Sequence, residues 1–128
     1  GEDGFRERET FELKYTITKR HNFVLSVGGG CVIRELNREL ILTPGNIVVQ
    51  FYANIPTLVE RLSKSINKRP LFVNTDIASK VTALYESRKE FYTKVTHLTF
   101  DTSGMRPNQV VDDVITKLRS RQNSVKKT

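Results

Sequence analysis

Apolar residues gather along the chain in three short runs: Phe23-Val24-Leu25-Ser26-Val27, Ile47-Val48-Val49-Gln50-Phe51-Tyr52 and the weaker His97-Leu98-Thr99-Phe100-Asp101. Each has the length of a strand and is rich in β-branched or aromatic side chains. The first two are nearly continuous, the pattern of central strands covered on both faces in a parallel sheet. Between the runs the apolar period changes to that of a helix. Ile55, Leu58, Val59 and Leu62 share one helical face, and Ile77, Val81, Leu84, Tyr85, Tyr92 and Val95 form the stripe of a longer helix that Asp76 can cap. Pro107, suited to a first helical position, precedes Val110, Val111, Val114, Ile115 and Leu118 on one face of a last helix. The opening segment, about 3–19, is charged and weakly patterned, but it has no Pro and only Gly4 near its start, so it reads as a helix. Parallel strands need helical crossovers, so the fold class is α/β, in a single domain over 1–128. One stretch departs from this pattern. Residues 63–75 include Lys64, Asn67, Lys68, Arg69, Pro70 and Asn74 and read as a long basic loop of the kind that serves as a lid.

Composition narrows the function classes. A chain of 128 residues with 38% hydrophobic residues can bury one core. It holds no apolar stretch approaching the roughly 18 residues of a membrane span, so no membrane partner is expected. Cys31 is the single cysteine, which excludes an internal disulfide, and it has no second Cys or nearby His with which to hold zinc. No metal site is expected from these residues, and a reducing, cytoplasmic setting fits. The net charge of +7 invites a nucleic-acid reading. Four of the basic residues, Arg119, Arg121, Lys126 and Lys127, lie in a tail over about 119–128 that contains no acid. A frayed, solvated tail accounts for them, and no nucleic-acid partner is expected.

Three groups carry candidate chemistry. Gly28-Gly29-Gly30 follows the first apolar run, just past the carboxyl end of a predicted parallel strand, where α/β folds bind ligands. The triplet reads either as a set of backbone donors or as a flexible turn. Arg6 and Glu9, three apart on a helix, are either a carboxylate holding a guanidinium in place or an ordinary surface pair. Arg88 falls on the stripe with Leu84, Tyr85 and Tyr92, where it needs an anion or must extend to solvent. The sequence contains no Gly-Lys-Ser or Gly-Lys-Thr of a phosphate-binding loop.

Taken in order, these pieces resemble the shikimate kinase family over nearly the whole chain: Gly1-Glu2 with Phe5-Arg6 and Glu9; Gly28-Gly29-Gly30 with Val32; Gly45 before Ile47-Val48-Val49; Leu58 with Glu60-Arg61-Leu62; Arg69-Pro70-Leu71; Arg88 with Tyr92; and Asp101-Thr102. The resemblance implies a P-loop kinase of the nucleoside-monophosphate-kinase type, a parallel sheet sandwiched by helices. Such an enzyme transfers the γ-phosphoryl group of ATP to the 3-hydroxyl of shikimate in aromatic amino acid biosynthesis. It further implies that Arg6 and Arg88 clamp the substrate carboxylate, that Glu9 orients Arg6 and the hydroxyl side of the ring, and that Gly28, Gly29 and Gly30 offer backbone donors. Arg69, in the lid, would be catalytic, neutralising charge on the transferring group, while Arg61, Arg106 and Pro107 would lie against the adenine of ATP.

The family pattern also contains a first strand, a phosphate-binding loop and a second strand, none of which this sequence matches. The ligands of Mg²⁺ are expected there, and the chain alone is expected to be inactive. Its exposed edges would be covered by an N-terminal portion, or by dimerisation or strand exchange, whereas the complete enzyme would be a monomer. Two rival readings are another small-molecule P-loop kinase, such as a gluconate kinase, and a non-catalytic, ligand-binding kinase relative.

Overall fold

The computed structural model describes residues 1–64 and 76–126, with side chains through residue 123. In chain order the elements are α1 (Glu2–Lys19), a 3₁₀ turn (Gly29–Ile33), α2 (Glu35–Ile41), β1 (Val49–Tyr52), α3 (Ile55–Lys64), α4 (Ile77–Val95), β2 (Leu98–Asp101) and α5 (Pro107–Lys126). They fall into two compact units, residues 1–50 with 82–98 and residues 51–81 with 99–128. The strands form a two-stranded sheet. Leu98 N–H donates to Val48 O at 3.1 Å and Thr102 N–H to Tyr52 O at 2.7 Å. The unchanged sequence offset between the two bonds shows that the strands are parallel, as the α/β reading requires.

In the first unit, α1 packs on α2 and on the 3₁₀ turn. The centre is Leu13, Cys31, Val32, Ile41 and Val95, with Ile17, Leu40, Val48, Phe91 and Tyr92 around it. Leu13 is the buried residue of α1, whereas Phe5, Phe11 and Tyr15 are exposed, so the weak patterning of this helix in the sequence is real. Its composition favours the helix instead: Glu2 and Asp3 lie in the first turn and Lys19 in the last, each complementing the helix dipole.

Sequence patterning did not reveal α2. Its buried positions are Asn37 and Ile41, one turn apart, and a polar residue in the core position breaks the apolar stripe. Asn37 is fully buried and its Nδ2 donates to Cys31 O at 2.9 Å. That bond supplies the reason for an amide in the core, since a buried carbonyl without a donor is costly.

The first apolar run corrects an expectation. Residues 23–27, read as a central strand, form no strand; they run without helix or ladder, with Val24, Leu25 and Val27 exposed. A strand exists through the hydrogen bonds of its neighbours, and among the described residues β1 and β2 pair only with each other.

In the second unit Phe51 and Phe100 stack at a tilt, with ring centroids 6.3 Å apart. Each helix that starts here has an identifiable cap. Asn54 Oδ1 accepts from Thr57 N–H at 2.9 Å at the head of α3. Asp76, as the sequence suggested, accepts from Ser79 N–H at 3.3 Å and Ser79 Oγ at 2.8 Å, and these bonds hold its carboxyl below the ordinary value. Pro107 opens α5, and Gln109 Oε1 accepts from Arg106 N–H at 2.8 Å, the backward half of a capping box. The tail expected to fray from Arg119 is instead the last turns of α5, which runs to Lys126. It contains neither Gly nor Pro to stop the helix. Residues 65–75, the main part of the predicted lid, lie outside the described residues, and Arg69 with them.

Replacing Asn37 by Ala removes the side-chain donor to the buried Cys31 carbonyl and opens a gap in the core, while also removing an amide oxygen that has no partner among the described residues. The expected loss is about 1–3 kcal/mol of stability, seen as a lower urea midpoint with the same slope.

Candidate functional site

The candidate site lies in the first unit, on α1, the 3₁₀ turn and α4. From α1, Arg6 and Glu9 form an ion pair, Nη1 to Oε1 at 2.8 Å, with side chains only 16% and 15% exposed. Glu2, itself exposed, lies 3.9 Å from Arg6 Nη2. The guanidinium also sits 5.2 Å from the centroid of the Phe5 ring, and its Nε is buried without a partner among the described residues. Of the two readings left open by the sequence, the structure supports the held guanidinium.

The three glycines are the wall that these side chains share. A Cβ on Gly28 would stand 3.6 Å from Glu9 Oε2. A Cβ on Gly29 would stand 3.1 Å from Tyr92 Oη and 3.4 Å from Arg88 Nη1, and one on Gly30 would collide with the Arg6 guanidinium. The three glycines thus lie against polar side chains, with ordinary clearance at Gly28, a tight fit at Gly29 and no room for a Cβ at Gly30 while Arg6 holds its place. The turn begins with Cys31 N–H donating to Gly28 O at 3.0 Å. The N–H groups of Gly29 and Gly30, first in the turn, have no acceptor among the described residues.

Arg88 is half-buried on α4, one turn before Tyr92. Among the described residues it has no hydrogen-bond or ion-pair partner. Tyr92 Oη, in contrast, donates to Gly29 O at 3.1 Å. Arg88, Arg6 and the two unsatisfied N–H groups thus meet around one Gly-Gly dipeptide. A pair of guanidinium groups, of which Arg88 has no acidic partner among the described residues, is suited to a planar carboxylate.

Cys31 is buried beneath this wall. Burial pushes its thiol up to about 11, with the Glu9 carboxylate acting in the same direction and Arg6 opposing both. A cleft opens beside it between Glu9, Leu13 and Thr16 of α1 and the segment Leu25–Gly28.

Arg38 belongs to the site's support and was missed by sequence reasoning. Its Nη1 donates to Val32 O at 2.8 Å and to Ile33 O at 2.9 Å, while its guanidinium lies 4.7 Å from the Phe91 ring centroid. Nothing in the sequence distinguishes it from a surface arginine.

The remaining candidates are in the second unit. Arg61 Nη1 donates to Thr102 Oγ1 at 3.1 Å and Nη2 to Thr102 O at 2.9 Å, holding the loop that follows β2. Thr102 is buried and its Oγ1 donates in turn to Tyr52 O at 3.0 Å. The loop turns at Gly104, whose φ of +71° suits glycine, and ends at Arg106 and Pro107, both exposed. Among the described residues no group of three or more His, Cys, Asp or Glu side chains could hold a metal ion, and no helix is long and apolar enough to cross a membrane.

A parallel α/β chain whose glycine turn gathers two arginines offers a site for a small anionic ligand, and comparison with known proteins supplies the family. The shikimate kinase family model matches residues 1–119. The shikimate kinase of Burkholderia thailandensis is 38% identical over 118 residues, covering 92% of this chain and 62% of that protein. The shikimate kinase of Coxiella burnetii is 33% identical over 120 residues, covering 93% and 66%. Among solved structures, the shikimate kinase from Acinetobacter baumannii in complex with shikimate superposes with a TM-score of 0.81 at 30% identity, covering 94% of this chain and 66% of that one. The chain belongs to the shikimate kinase family and spans under two thirds of the length of these relatives.

The Cys31 thiol tests the electrostatics of the wall. At pH 8 a thiol with a value of about 11 has about 100-fold less thiolate than one at the ordinary 9.0. Alkylation of the native chain by iodoacetamide at pH 8 is expected to be slower than that of the urea-unfolded chain by at least that factor. The native rate should rise as pH is raised towards 11.

Proposed function

We propose that this chain carries the acceptor site of a shikimate kinase, a protein that transfers the γ-phosphoryl group of ATP to the 3-hydroxyl of shikimate. The observation that carries the reading is the meeting of Arg6, paired with Glu9, and Arg88, without a partner among the described residues, on the Gly29–Gly30 dipeptide. The complex of the Acinetobacter baumannii relative with shikimate supports it. In this reading the two guanidinium groups take the substrate carboxylate through charge-assisted hydrogen bonds. Glu9 keeps Arg6 in register and presents an acceptor to a ring hydroxyl, and the Gly29 and Gly30 N–H groups face the ligand.

ATP is the second substrate. Arg106 and Pro107, exposed at the start of α5, are proposed to border adenine, with Arg61 shaping their loop through Thr102 rather than reaching out itself. Arg69 is proposed, from the resemblance, to meet the transferring phosphoryl group. Mg²⁺ would accompany the nucleotide, as phosphates and water commonly supply most of its ligands. The described residues do not form a cluster of three or more His, Cys, Asp or Glu side chains that could hold it. The enzyme would serve aromatic amino acid biosynthesis in the cytoplasm, a reducing compartment that suits a single buried thiol.

Because the sequence holds no Gly-Lys-Ser/Thr, binding of the acceptor is the decisive measurement. Calorimetric titration is expected to show binding of shikimate, weakened about 10- to 100-fold by Arg88→Ala, as expected for a hydrogen bond to a charged group. Shikimate methyl ester and gluconate should bind much more weakly. Equal affinity for the ester, or an Arg88→Ala variant as tight as wild type, would sink the reading; preference for gluconate would favour a different acceptor.

A further inference from the structure

The Tyr92 hydroxyl has a role that neither the carboxylate clamp nor the packing of α4 requires. It donates to Gly29 O at 3.1 Å across 63 residues of sequence. A peptide unit is planar and trans, so the C=O of Gly29 and the N–H of Gly30 point in opposite directions from one rigid plate. Fixing the carbonyl therefore aims the Gly30 N–H. The preceding plate is fixed in the same way, because Gly28 O accepts from Cys31 N–H at 3.0 Å.

Beyond the glycines every carbonyl of the turn is also held by a side chain: Cys31 O by Asn37, and Val32 O and Ile33 O by Arg38. The far end of the turn is thus anchored to α2, and its glycine end is tied to α4 by Tyr92. Glycine peptides have the widest conformational freedom of any and 3₁₀ hydrogen bonds are poorly aligned, so the Tyr92 hydroxyl is a second anchor, beside the bonding of the turn itself, that limits rotation of the Gly29–Gly30 plate. A second consequence concerns distance. Arg88 lies one helical turn before Tyr92 on the same α4 face, and both meet the position of a Gly29 Cβ. The bond from Tyr92 therefore fixes where Arg88 stands relative to Gly29, while Arg6 lies against the adjacent Gly30.

We propose that Tyr92 is a positioning residue, whose hydroxyl orients the Gly29–Gly30 peptide so that the Gly30 N–H and the Arg6 and Arg88 guanidinium groups address one ligand together. This rests on the acceptor-site reading given above.

The test is Tyr92→Phe, a near-isosteric change that removes the hydroxyl alone, made in the ¹⁵N-labelled chain. Two quantities are read: the Gly30 amide order parameter without ligand, and the dissociation constant for shikimate. The expected result is a loosened Gly30 amide, affinity lower by about three- to tenfold, the worth of one neutral hydrogen bond, and a melting midpoint close to wild type. If wild type binds shikimate and the variant matches it in affinity, the inference falls while the acceptor-site reading stands. Weaker binding with an unchanged Gly30 amide also overturns it, since Tyr92 would then act by contact or through overall stability. If wild type binds no shikimate, the acceptor-site reading fails, and this inference with it.

Discussion

The Arg6 guanidinium occupies the space that a Cβ on Gly30 would fill, and this close contact is the constraint on which the rest of the site depends. It takes Arg6 largely out of water, to 16% exposure, where an uncompensated charge would be costly. Glu9 supplies the compensation from the same helix at 2.8 Å. Such partly buried pairs add little net stability, because desolvation offsets most of the attraction. What the pair does provide is position: Glu9 ties the guanidinium to α1, and the glycine admits it to the turn.

The turn must be equally well placed, and side chains rather than strand pairing achieve this. Asn37 and Arg38, neighbours on α2, hold the carbonyls of Cys31, Val32 and Ile33, and Tyr92 holds that of Gly29. A backbone segment with its carbonyls engaged on one side presents its unsatisfied N–H groups on the other. The segment before the turn, residues 23–27, has no ladder to lend it rigidity, so order at the glycines comes from the 3₁₀ turn and from these side-chain anchors.

How much of this was legible in the sequence follows from where each signal resides. The span of α4 and the start of α5 could be read closely, because Asp76, Pro107 and the apolar stripes act within a few residues of the structure they specify. The strand expected at Phe23–Val27 could not be judged in this way, since a strand is a relation between segments and apolar composition reports only one of them. Asn37 concealed α2 by putting an amide where the helical period calls for an apolar residue. Arg6, Glu9, the three glycines and Arg88 were identified by spacing and resemblance, and the structure brings them together in one unit. Arg38 and the hydroxyl of Tyr92 act on carbonyls, which every residue has, so no pattern of residue types could have announced them.

The charges around the turn follow a simple account. Arg6 and Glu9 cancel, and Cys31 beneath them remains a neutral thiol, because burial and the nearby carboxylate both oppose its ionisation. Were the thiolate to form, it would compete for Arg6 with any anion arriving from solvent. With the thiol neutral, Arg88 is the guanidinium at the wall without an acidic partner among the described residues, whereas Arg6 faces both Glu9 and the exposed Glu2. An unpaired guanidinium beside two undonated N–H groups suits an anion whose charge is spread over two oxygens. In the acceptor-site reading proposed above, a carboxylate fills that role, meeting Arg88 where no acid among the described residues competes for it.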